Sequence, residues 1–193
     1  MAPPPAFLSN PFFNAVFILG IVQLSKRFDL EVPTNLMYAR IVYASAQVVL
    51  IALTYGLIFV VKKKNDTTQL RYVEPPKMGQ GGEPELVNIT HAEYDVRELK
   101  KAITSTLTGM AMIGFLHFQF KFTQPLIIQS ILPLKTFLLS NEARIHIWGE
   151  KAEGDLKRPF KVQGPFDFLG GESSQPRTDK QAIKKAEKAA KDN

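Results

Sequence analysis

The residues that could do chemistry here are polar side chains set inside apolar sequence. Arg40, Tyr43, Gln47 and Thr54 fall at i, i+3, i+7 and i+14, one narrow face of a helix. His117, Lys121 and Gln124 follow at i, i+4 and i+7. Gln129, Thr136 and Ser140 share a third face if the last helix continues past Pro133. Amides, hydroxyls, an imidazole and lone cations in this pattern hydrogen-bond; they do not make or break covalent bonds unaided. Two arrangements would satisfy them. Arg40, Lys121 and Lys135 can snorkel to headgroups while the glutamines bond neighbouring helices. Alternatively the stripes converge on a hydrophilic groove open to the cytoplasm, since polar groups at membrane depth need water or a partner.

Covalent catalysis has little support elsewhere. The chain of 193 residues has no cysteine, which excludes disulfides, zinc–thiolate sites and a cysteine nucleophile. His91, His117 and His146 lack the spacing of a metal site. There is no GxSxG, no Walker A loop and no GxGxxG after a strand. Gly79 to Gly82 reads as a flexible linker rather than a phosphate loop. We expect no enzyme and no cofactor. Met110 and Met112, beside Gly109 and Gly114, are either close-packing positions or soft surface for varied apolar clients.

The elements that must position these residues are helices. Ile41 to Val61 is 21 residues without a formal charge, ending on Lys62, Lys63 and Lys64. At a helical rise it covers roughly 30 Å, a bilayer's hydrocarbon core. A shorter helix precedes it from Pro11 to about Leu30; it crosses or lies half-inserted, and Pro33 closes it. Thr90 and Glu93 form a capping box that starts a helix of about 30 residues, its remainder entering the membrane. Pro125 marks a turn, and Pro133 would kink or split the final helix. Arg144 to Trp148 reads as a short β-like run. Thr178-Asp179 caps a C-terminal helix carrying Lys180, Lys184, Lys185, Lys188 and Lys191, either a solvated tail or a contact for ribosomal RNA or anionic lipid.

The expected fold is an all-α membrane protein, a small helical bundle of three to four membrane segments with a cytoplasmic connector and a basic cytoplasmic tail. Its divisions are 1–61 (11–30 short or half-inserted, 36–61 a span), 62–102 the connector and helix start, 103–140 the third span and Pro-broken return segment, and 141–193 the tail. Lys62–Lys64 place the connector, and with it the C-terminus, on the cytoplasmic side by the positive-inside rule. The sequons at Asn65 and Asn88 would then stay bare. The N-terminus lacks the basic lead of a secretory signal, so targeting is expected to rest on the membrane segments.

The strings QLSKRFDLEVPTNLMYARIVY, KNDTTQLRYVEPP, TGMAMIGFLHFQFKFTQPLIIQSI, IHIWGEKAEGDLKRPFK and TDKQAIKKAEKAA resemble, in this order, a fungal family of endoplasmic reticulum membrane proteins. That family was first named for inorganic phosphate transport and supplies the third component of the SRP-independent (SND) targeting pathway. The resemblance runs from about Gln23 to Ala190. It implies a multi-pass endoplasmic reticulum protein that targets or inserts client transmembrane segments. The partners it implies are the Sec translocon and associated factors, the ribosome, nascent membrane-protein clients and other SND components. The older phosphate link would be indirect, through biogenesis of a phosphate transporter. It carries no catalytic motif. A structural adaptor that recruits ribosome, translocon or targeting partners is the alternative, and a phosphate transport component the least favoured.

Overall fold

A computed structural model describes residues 4–75, 85–161 and 175–192. The linker expected at Gly79 to Gly82 lies outside them. The helices are α1 (Pro11–Arg27), α2 (Pro33–Lys64), α3 (His91–Phe120), α4 (Gln124–Leu138), α5 (Asn141–His146) and α6 (Lys180–Asp192), with strands β1 (Gln69–Glu74) and β2 (Glu85–Thr90). The protein is mostly helical. It divides into two units, Met1–Val60 with Arg97–Glu150, and Val61–Val96 with Lys151–Asn193.

In the first unit the Asn10 side chain caps α1 by accepting from Phe12 N at 2.8 Å, ahead of Pro11 in the first turn. The helix ends at Arg27 rather than near Leu30, and Pro33 opens α2 instead of closing α1. The antiparallel pairing of α1 with α4 is pinned at both ends. Lys135 near the end of α4 hydrogen-bonds Asn14 and lies 5.6 Å and 5.1 Å from the ring centres of Phe13 and Phe17. Gln124 at the start of α4 donates to the buried Ser25 hydroxyl at 3.3 Å. Lys135 is thus held by Asn14 and two aromatic rings of α1.

Three expectations are corrected here. Helix α4 runs unsplit from Gln124 to Leu138 with Pro133 inside it. Of the segment read as β-like, Arg144 to His146 ends helix α5, which Ser140 caps by accepting from Ala143 N at 3.2 Å; the alternation of Ile145 and Ile147 misled. The face assigned to Gln129, Thr136 and Ser140 ends early: the Thr136 hydroxyl donates to its own helix at Leu132 O, and Ser140 is a cap.

The second unit makes the chain other than all-α. Strands β1 and β2 pair antiparallel from Gln69↔Thr90 to Glu74↔Glu85. Tyr72, Tyr94 and Phe160 stack edge to face at 5.7 Å and 5.3 Å, and the Tyr94 hydroxyl accepts from Phe160 N at 2.8 Å. Beside them Arg158 Nε donates to Asp95 Oδ1 at 2.6 Å, both side chains buried. Burial works against the Arg158 charge, but the Asp95 carboxylate outweighs it and raises the guanidinium pKa. Arg177 bridges to Val73, and α6 lies on the hairpin with Ala186 buried and Glu187 paired to Arg71.

The capping box is present: Glu93 accepts from Thr90 N at 2.8 Å, and Thr90 Oγ1 from Glu93 N at 3.2 Å. Helix α3 has the expected 30 residues. Among the described residues one helix, Pro33–Lys64, is long and apolar enough to cross a membrane. Helices α1 and α4, with 17 and 15 residues, reach roughly 25 Å and 22 Å.

Candidate functional site: an uncharged cleft

The chain directions within the first unit follow from two contacts. Arg40 of α2 meets His117 near the end of α3, and His117 meets the Phe122 carbonyl just before α4. Seven residues further along α2, Gln47 meets Gln129, seven residues beyond Phe122. So α2 and α4 run parallel, with α3 antiparallel to both.

Between these three helices is a cleft of about 360 Å³. Helix α2 lines it with Tyr43, Gln47 and Leu50, α4 with Gln129 and Pro133, and α3 with Ser105, Thr106, Gly109, Met110, Met112 and Ile113. No lining residue carries a charge. Phenol, amides and hydroxyls supply hydrogen-bonding groups, and the methionines and aliphatic side chains supply soft apolar wall.

One contact across the cleft has a clear local cause. In a helix the carbonyl of residue i accepts from the N–H of i+4. Pro133 has no N–H, so the Gln129 carbonyl four residues earlier loses its partner. Gln47 Nε2, on a side chain only 4% exposed, donates to that carbonyl at 2.9 Å. A buried carbonyl left unpaired costs about 1–3 kcal/mol, so the glutamine answers a vacancy that the proline creates.

The other expected site residues are distributed differently. Arg40 Nε lies 3.0 Å from His117 Nε2, and His117 Nδ1 lies 3.0 Å from the Phe122 carbonyl oxygen. Arginine Nε can only donate, so Nε2 is the acceptor and Nδ1 bears the proton that the carbonyl receives. Arg40 and His117 therefore brace the α3–α4 turn. Thr54 is buried and donates to Leu50 O on its own helix at 2.8 Å. The stripe His117, Lys121, Gln124 does not exist as one face. Helix α3 stops at Phe120, and Lys121 takes a left-handed φ of 59°, which turns the chain before Gln124 starts α4. Lys121 is exposed and lines a shallow depression with Lys26 and Arg27.

Of the eight groove candidates, Tyr43, Gln47 and Gln129 line the cleft. Ser105 and Thr106 were missed. Their signal was present in the four closely spaced hydroxyls from Thr104 to Thr108, but Thr104, Thr106 and Thr108 also bond back to their own helix. In the second unit, Lys180, Lys184, Lys185 and Lys188 are exposed on α6, whereas the Lys191 side chain is outside the described ones.

The family model described as Phosphate transport (Pho88) matches residues 8–193. SRP-independent targeting protein 3 of Saccharomyces cerevisiae is 43% identical over 180 residues, 91% of this chain and 93% of the relative. SRP-independent targeting protein 3 homolog of Schizosaccharomyces pombe is 30% identical over 181 residues, 93% and 92% of the two chains. An uncharacterized protein of the same yeast is 39% identical over 161 residues, 82% and 78% of the two chains. No solved structure matches. The match of nearly the whole chain, from residue 8 to its last residue, makes this protein a member of the Pho88 family.

Proposed function

We propose that this protein is an endoplasmic reticulum membrane protein of the SRP-independent targeting pathway, and that client transmembrane segments enter the bilayer past the cleft between α2, α3 and α4. The observation that carries the proposal is the lining: hydrogen-bonding groups and soft apolar side chains together, with no charge. Such a wall lowers the cost of moving a client's polar groups while its apolar segment passes to lipid. The targeting role rests on the likeness to the yeast protein named for it.

In this reading α1, α2, α4 and the part of α3 from residue 103 are the membrane segments. Their alternating directions give two hairpins with the connector and C-terminus in the cytoplasm. Large exposed apolar side chains on these helices, among them Phe12, Phe59, Phe115 and Phe118, would face lipid. Translocon, ribosome and other pathway components are the proposed partners. A phosphate ion would meet no lysine or arginine among the residues lining the cleft, so the geometry gives phosphate transport no support.

A second reading is favoured by α6, which presents Lys180, Lys184, Lys185 and Lys188 to solvent. A docking surface for ribosomal RNA would recruit partners without handling clients. Photo-reactive probes at Ser105 in the cleft and at Lys184 on α6 separate the two. Crosslinks from stalled nascent membrane proteins to Ser105 are expected. Crosslinks of ribosomal RNA to Lys184, with no client at Ser105, would replace the insertion reading with the adaptor.

A further inference from the structure

The bond between Gln47 and the Gln129 carbonyl joins α2 to α4 within the cleft itself, and its acceptor is one that helix α4 cannot satisfy. An amide side chain can rotate away without leaving a charge behind. The carbonyl it releases can take any other N–H donor at the same cost. We infer that Gln47 is an exchangeable latch: a client segment carrying an uncharged donor displaces the Gln47 amide from the Gln129 carbonyl, and the freed amide in turn pairs with the client. This deepens the insertion reading and rests on it.

The chemistry of the preferred client follows. Asparagine, glutamine or serine at a segment's end can both give and receive hydrogen bonds here, and an unpaired backbone N–H can give one. A carboxylate or ammonium group finds no counter-charge among Tyr43, Gln47, Ser105, Thr106 and Gln129, and burying it unpaired is far more costly. The cleft therefore selects segments with neutral polar flanks over those with charged ones, with Gln47 and Pro133 as specificity-determining residues.

The test uses full-length protein in microsomes with a photo-reactive residue at Met112. The probes are stalled nascent chains with one apolar segment and four flanks: Asn-Gln-Ser, Asp-Glu, Lys-Arg or Leu only. The neutral polar flank is expected to be captured about tenfold better than either charged flank. Pro133→Ala restores the N–H that satisfies Gln129 within its helix, so it should reduce the neutral flank's advantage over the leucine flank. Equal capture of neutral and charged flanks overturns the selectivity while sparing the insertion reading. A neutral preference undiminished by Pro133→Ala overturns the latch. Absence of capture for every flank, in microsomes that still insert these clients, overturns the insertion reading and the latch with it.

Discussion

The two units are held together by different means. In the second, Tyr72, Tyr94 and Phe160 pack in series and a buried Arg158–Asp95 pair closes the same core. In the first, Leu50, Leu57, Ile58 and Ile103 are also buried, but polar bridges, Arg40 to His117 and Gln47 to Gln129, join α2 to α3 and α4 around an open cleft. A packed unit gains stability from burial; a bridged unit gains room. Helices that need to admit another segment cannot fill the space between themselves, and single hydrogen bonds can be exchanged where a packed core cannot.

The largest expected effect lies in the packed unit. Arg158→Ala removes the guanidinium from beside the buried Asp95 carboxylate, which should destabilise by about 3–5 kcal/mol. Limited proteolysis should then cut the hairpin and the 151–161 segment first. Unchanged protease resistance would mean that the aromatic cluster alone sustains this unit.

A smaller effect belongs to the bridged unit. Gln47→Leu strands the Gln129 carbonyl and should destabilise by about 1–3 kcal/mol. In the Pro133→Ala background the carbonyl has its own helical partner, so the same substitution should cost little. A double-mutant cycle by reversible unfolding in detergent micelles measures this coupling. Additive effects would break the link between the proline and the glutamine.

Acid should separate the regions more gently. The Thr68 hydroxyl, helped by His91, holds Asp66 below its ordinary pKa, and Thr90 N–H and hydroxyl do so for Glu93. A depressed carboxylate contributes stability that is complete above its unfolded value and lost as pH falls through the folded one. The second unit should therefore weaken only below about pH 4, read by amide exchange at the start of α3. The cleft lining, with no carboxylate or histidine, should hold over the same range. Equal acid sensitivity in both would show that other groups dominate.

Much of this comparison was legible in the residues. The capping box at Thr90 and Glu93, the length of α3 and the long apolar helix ending at Lys62–Lys64 follow from local rules of spacing and composition. The polar face of α2 was legible too, and Gln47 and Tyr43 do face the cleft. What sequence spacing could not show is where a helix stops. Extending α3 through Lys121 created a stripe that a single left-handed residue abolishes. Pairing between distant segments was equally hidden, as in the β1–β2 hairpin and the Arg158–Asp95 contact across 63 positions. The Gln47–Gln129 bond was half legible: a proline announces a freed carbonyl four residues earlier, but only the fold says which donor reaches it.

The central claim is that the cleft, rather than the packed unit, handles clients. Gly109 lines the cleft, and a side chain added there would meet nothing within 4 Å at its first carbon. Gly109→Phe therefore starts its side chain in open space beside the cleft. The measurement is insertion of a single-span client into proteoliposomes containing the full-length variant, with protease resistance of the second unit as the folding control. The account predicts that insertion is lost while that resistance remains. Insertion at the wild-type rate with the cleft filled would contradict it.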